Sequence, residues 1–108
     1  MLNATSTNGD IIQRGALLVS GATSFSAGDD ILLTQAGNNF AGLVNASGND
    51  ITLTDGSGGL SLGTVTTTGV GNLTVASNGG ALDLGSSTVS GNVAVSYTHL
   101  TLPTKRIV

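Results

Sequence analysis

Asp30-Ile31-Leu32-Leu33-Thr34 and Asp50-Ile51-Thr52-Leu53-Thr54 stand 20 residues apart and read almost as copies. Outward from them, Asp10-Ile11 lies a further 20 residues upstream, and Asn72-Leu73 and Asn92-Val93 follow at steps of 22 and 20. Each pair couples a short, turn-forming polar residue to an apolar one. A step this regular marks a stacked, one-dimensional architecture, in which each unit mainly touches its neighbours.

Within each unit the apolar residues alternate. Leu17 and Val19 share one face, as do Ile31 and Leu33, Ile51 and Leu53, Leu73 and Val75, and Val93 and Val95. These bursts end in Gly, Asn, Asp or Ser, and no apolar run keeps a helical spacing. Period two bounded by turn formers is the strand signature. A second row, Phe40, Leu60 and Leu82, follows the same step, and Gly42, Leu62 and Leu84 run beside it. A third segment occurs twice, at 62–69 and 84–91, aligning Thr67 with Val89. Each unit therefore supplies about three short strands.

Twenty residues at roughly 3.3 Å each span about 66 Å, enough for three short strands and three corners around a closed coil. Successive coils would then lie about 4.8 Å apart and stack Ile11, Ile31, Ile51, Leu73 and Val93 into one interior column. The expected fold is all-β, a right-handed parallel β-helix (β-solenoid) of about four coils of 20–22 residues. Its coils run 10–29, 30–49, 50–71 and 72–91, with an incomplete fifth from 92. An antiparallel β-sandwich also uses short alternating strands, but gives no reason for polar–apolar pairs on a constant step.

Composition narrows the function. Among 108 residues there are 17 Gly, no Cys, no Trp and no Glu, and charged residues make up 8%. Charge this low with positive mean hydropathy does not suit a disordered chain. Residues 1–96 carry Arg14 as their one basic side chain against six Asp. Phosphate recognition needs clustered Lys and Arg, so no nucleic-acid partner is expected. The absence of Cys removes disulfides and thiolate metal sites. Met1 opens no signal peptide, and no run of eighteen apolar residues exists for membrane insertion. Any export signal would lie outside this sequence.

Three regions follow: an irregular start at 1–9, the β-helix repeat region at 10–96, and a foreign tail at 97–108. From Tyr97 the chain lacks Gly, Asn and Asp and holds its only Tyr, His, Pro and Lys. The tail resembles translated sequencing-adapter read-through, which would leave His99, Lys105 and Arg106 without biological meaning.

The stretch Gly21-Ala22-Thr23-Ser24-Phe25-Ser26-Ala27-Gly28-Asp29-Asp30-Ile31-Leu32-Leu33-Thr34 resembles repeats of filamentous-haemagglutinin-type exoproteins. Gly37 to Gly42, Asn49 to Thr54, Gly71 to Val75 and the Leu-Gly links at 62–63 and 84–85 extend the likeness over 10–96. Related repeats occur in autotransporter passengers and two-partner-secretion adhesins. The resemblance implies a shaft segment of a large secreted or outer-membrane-associated surface protein of a Gram-negative bacterium. It would be non-catalytic, joined in cis to the rest of a parent β-helix, with a host or bacterial surface receptor as partner. The alternative is a glycan-directed β-helix module, binding or cleaving polysaccharide.

Candidate sites each have a plainer reading. Asp10, Asp30 and Asp50, with Asp29 adjacent, would stack at one corner, and Ca²⁺ favours such oxygen-rich clusters. Asp and Asn also begin strands because they bond locally at turns. Carboxylates stacked about 5 Å apart repel by only about 0.8 kcal/mol in water. The structural reading is preferred, and Asn72 over Asn92 is expected to form an amide ladder. Thr52, Thr54, Thr64, Thr66 and Thr68 suggest exposed rows of the kind that bind ice, but the rows do not recur on every coil, and strand propensity with solubility is the preferred reading. No Lys, Arg or His occurs between 15 and 98 to stabilise a developing charge or hold an anionic polysaccharide. Asn3-Ala4-Thr5, Asn45-Ala46-Ser47 and Asn72-Leu73-Thr74 match the glycosylation acceptor pattern by chance. No catalytic, cofactor-binding or metal-ligating residue is assigned, no cofactor is expected, and the chain is not read as an enzyme.

Overall fold

The computed structural model describes residues 2–56 and 58–100. Among them the chain is all-β, a β-solenoid of about four turns built from parallel strands. The first lap lays down β1 (Leu2–Ser6), β2 (Ile11–Ile12) and β3 (Leu18–Val19). The second repeats the order with β4 (Thr23–Ala27), β5 (Ile31–Leu33) and β6 (Asn39–Phe40), and the third opens with β7 (Val44–Gly48) and β8 (Ile51–Asp55). Thereafter β9 (Leu60–Thr67) and β10 (Leu73–Asp83) each run around a corner, followed by β11 (Ser86–Thr88) and β12 (Val93–Leu100).

The strands fall into three tracks along the stack. One track is β1, β4, β7, the later part of β9, and β11, all paired in parallel. A second is β2, β5, β8, the start of β10, and β12. The third holds β3 paired with β6, and Leu60 paired with Leu82. The second track keeps the expected column, with partners Ile11–Ile31, Ile31–Ile51, Ile51–Leu73 and Leu73–Val93. Ile31, Ile51 and Leu73 are fully buried, whereas Val93 at the end of the column is 38% exposed. Each member is covered by the laps on either side, so the outermost ones lose half their cover.

The interior is narrow and packs by complementarity of size. Ala4, Phe25, Ala46 and Val65 follow one another up the first track. The small neighbours leave room for Phe25, whose ring meets Phe40 edge-on at 6.3 Å between centroids and 85° between planes, a favoured aromatic geometry.

Three expectations change. Residues 1–9 are not irregular throughout: β1 pairs with β4 from Leu2 opposite Thr23 to Ser6 opposite Ala27. Every residue of β1 thereby gains a neighbour on the next lap. The tail boundary at Tyr97 is not a strand boundary, since β12 continues past it, with Ser77 opposite Tyr97 and Leu82 opposite Leu100. The remainder of the tail, 101–108, lies outside the described residues. Finally, Leu62 is paired with Val44, not aligned with Gly42. In the second lap Ala41, Gly42 and Leu43 separate Phe40 from Val44, whereas Ser61 alone separates Leu60 from Leu62. One of the two residues missing from that corner is returned at a β-bulge, where Leu62 and Val65 face Val44 and Ala46. One extra residue on one strand is the definition of such a bulge. The Asn45 carboxamide accepts the Thr64 N–H there at 2.7 Å. A side chain on Gly63 would collide with that carboxamide.

Candidate functional site

Two polar constellations interrupt the aliphatic interior and its corners. The first is the Asp/Asn ladder at the entry to the second track. Asp10 Oδ1 accepts the Asp30 N–H at 2.9 Å, and Asp30 Oδ1 accepts the Asp50 N–H at 3.0 Å. Asp50 Oδ1 accepts the Asn72 N–H and Asn72 Oδ1 the Asn92 N–H, both at 2.8 Å. The following residue closes each rung in the other direction. Ile11, Ile31, Ile51 and Leu73 donate their N–H groups to the carbonyls of Asp30, Asp50, Asn72 and Asn92 at 2.8–2.9 Å.

The physical cause is the corner itself. A strand entering a turn leaves backbone N–H groups without a carbonyl in register, and a buried or half-buried donor must be satisfied. A short side chain carrying an acceptor oxygen supplies the missing partner. Asp and Asn both offer that oxygen at the same reach, so they interchange along the ladder. The expected Asn72–Asn92 amide-to-amide stack is therefore corrected: the carboxamide of Asn72 bonds the backbone of Asn92, not its amide. An oxygen facing a backbone N–H satisfies a donor that would otherwise be stranded, which an amide stack would not do.

Carboxylate oxygens of Asp10, Asp29 and Asp30 lie within 4.8 Å of one another, the first two residues exposed and the third half-buried. Oδ1 of Asp10 and of Asp30 is already committed to the rungs. The cluster arises from the corner geometry and is not assigned a ligand.

The second constellation was not foreseen. Asn38 is fully buried at the exit from the second track. Its Nδ2 donates to Gln13 Oε1 at 2.8 Å and to the Thr54 carbonyl at 2.9 Å. Its Oδ1 accepts from Gln13 Nε2 at 2.8 Å and from the Leu17 N–H at 2.9 Å. All four capacities of the carboxamide are used, as burial of an amide demands. Asp55, fully buried one lap on, accepts the Phe40 N–H through Oδ2 at 3.3 Å. Ser77, opposite Asp55 and also buried, bonds the carbonyls of Gly80 and Ala81 at 3.2 and 3.3 Å. These groups occupy the place where β6 pairs with β3 below it, and where side chains share the bonding above it with the Gly56 N–H, which donates to the Asn38 carbonyl. One signal was legible: Asp55 sits on the inward phase of Ile51 and Leu53.

The threonines divide between two faces. Thr52 and Thr54 lie on β8, and Thr64 and Thr66 on β9 opposite Ser86 and Thr88. No single flat array results. That register, carried one residue on, sets Val89 beside Thr67, whose hydroxyl also bonds Ser90. Of the glycosylation-like asparagines, Asn45 and Asn72 hold backbone donors.

The family model for repeats of unknown function (DUF5649) matches residues 1–47 and 70–101. The second match passes the boundary expected at Tyr97. The interval between the matches contains β8, Asp55 and the bulged strand β9. No curated protein and no solved structure matches the chain. With the larger part of the sequence covered, the chain belongs to this family of repeats.

Proposed function

We propose that the chain is a structural shaft segment of a large secreted or surface-attached bacterial adhesin of the filamentous-haemagglutinin type. The observation that carries this reading is the unbroken ladder from Asp10 to Asn92, continued on every lap. The polar side chains most able to do chemistry are spent on holding one lap to the next. A stack stabilised in this way transmits load along its axis and can be lengthened lap by lap. Its role is to hold a receptor-binding part away from the cell.

Antibodies raised against residues 10–96 test the reading in source cells. Labelling of intact cells, or recovery from culture supernatant, is expected. Signal confined to lysed cells would overturn it. Purified protein should neither sediment with acidic or neutral polysaccharides nor shorten them. Binding or cleavage would favour the glycan-directed alternative.

A further inference from the structure

The tracks present different outer faces. On the first, Thr5, Ser26, Ser47, Thr66 and Thr88 stand partner to partner in one row, all hydroxyls that water satisfies. On the second, the central outward row runs Ile12, Leu32, Thr52, Thr74 and Ala94. Ile12 is 62% and Leu32 39% exposed. The row beside it, from Thr54 to Ala76 and Ser96, is also uncharged. Leu32, Thr52 and Thr74 lie on laps paired on both sides, so their exposure comes from the outward phase of the strands. A flat, uncharged face of apolar and β-branched side chains is what one sheet offers another in face-to-face packing, about 10 Å apart.

Charge lies along the two edges of this face. At the entry edge stand Asp10, Asp29, Asp30 and Asp50, four of the six aspartates, and carboxylate oxygens of the first three gather within 4.8 Å. At the exit edge stands Arg14, exposed and the one basic residue of 1–96. Ile12 is midway between Asp10 and Arg14. We infer that this face binds the same face of a second copy, around a two-fold axis that runs along the stack through the row from Ile12 to Ala94. That axis reverses the strand direction. It lays the central row on itself, sets Leu32 against Leu32 of the other copy, and brings each Arg14 to the acidic corner of the other copy at Asp10 and Asp29. A two-fold axis parallel to the strands also brings face onto face, but it sets the two acidic edges together, and juxtaposed like charges disfavour it. A self-complementary contact of this kind closes at two copies.

Five strands at about 4.8 Å and four residue steps at about 3.3 Å give a face of roughly 24 by 13 Å, or about 300 Å² per copy. A standard interface takes about 800 Å² from each partner. The pair is therefore weak and readily exchanging, and trapping is the way to see it. It rests on the fold and its charges, so it is independent of the cellular location tested above.

The chain contains no cysteine. In the full-length protein, Thr52→Cys puts one thiol on the axis, and Thr66→Cys puts one on the hydroxyl face. Each is treated at millimolar concentration with a short bis-maleimide. Covalent dimer from Thr52→Cys should exceed that from Thr66→Cys by about tenfold. Adding Leu32→Asp to Thr52→Cys should remove the excess, and adding Arg14→Asp should lower it about fivefold. A charge-exchanged protein then fixes the orientation. It combines Arg14→Asp with Asp10→Asn, Asp29→Arg and Asp30→Asn, which keeps both ladder oxygens of that corner. Its yield should return to that of Thr52→Cys alone. Urea midpoints identify the folded variants that are compared. Equal yields from Thr52→Cys and Thr66→Cys would overturn the pairing. A charge-exchanged protein that cross-links no better than Arg14→Asp would overturn its orientation.

Discussion

The two ends of the second track solve the same problem in different ways. At its entry, a stack of Asp and Asn side chains repeats one hydrogen bond on four successive rungs. At its exit, Gln13, Asn38, Asp55 and Ser77 each make a different set of bonds. Register is uninterrupted along the paired residues at the entry. Beyond the exit it slips, between Ser77 and Ala81 against β12 and between Val44 and Ala46 against β9. A repeated side-chain acceptor keeps the rung in register even where the lap lengthens from 20 to 22 residues between Asp50 and Asn72. Where each lap improvises its own acceptor, insertions and deletions are absorbed as bulges.

The largest effect should come from attacking what both ends enclose. Ile51→Asp places a carboxylate in a fully buried aliphatic column and should cost more than about 4 kcal/mol. Thr52→Asp, one residue along and facing outward, should cost under about 1 kcal/mol. Urea denaturation of dilute protein distinguishes them, and equal midpoints would invalidate the face assignment. Next in size is the exit. Asn38→Leu strands the Leu17 N–H and the Thr54 carbonyl together, for about 3 kcal/mol. A loss no larger than that of an exposed substitution would mean these bonds are redundant.

The entry should respond more gently because its cost is shared among rungs. Asp30→Ala removes one acceptor and should cost about 1 kcal/mol, with faster hydrogen exchange at the Asp50 amide. Asp30→Asn keeps the oxygen and should change stability by under about 0.5 kcal/mol. If Asn behaved like Ala, negative charge rather than the acceptor would be sustaining the ladder. The smallest change is a gain. Thr23 is fully buried between Leu2 and Val44, and its hydroxyl has no hydrogen-bond partner. Thr23→Val keeps the shape and removes that penalty, so the thermal midpoint should rise in line with about 1 kcal/mol.

The same contrast explains what could be read from residues alone. The entry corner was legible because it repeats: Asp or Asn before Ile, Leu or Val at a near-constant step is visible without coordinates, and it located the interior column correctly. The exit was legible only in the inward phase of Asp55. Asn38 and Asp55 each occur once in their roles, and single buried polar residues look like turn formers. The bulge at Gly63 escaped for a related reason. Counting from Phe40 to Leu60 assumes equal corners, while the chain shortens one corner by two residues and returns one of them within β9. That difference moves Val44, not Gly42, into line with Leu62.

The direction of the ladder also bears on how such a chain is made. Each side-chain acceptor oxygen belongs to a residue that precedes its donor by one lap. Synthesis delivers the N-terminal part first. Every newly emerging corner therefore meets a docking oxygen that is already in place, and assembly can proceed by accretion onto a finished surface without waiting for the far end of the polypeptide.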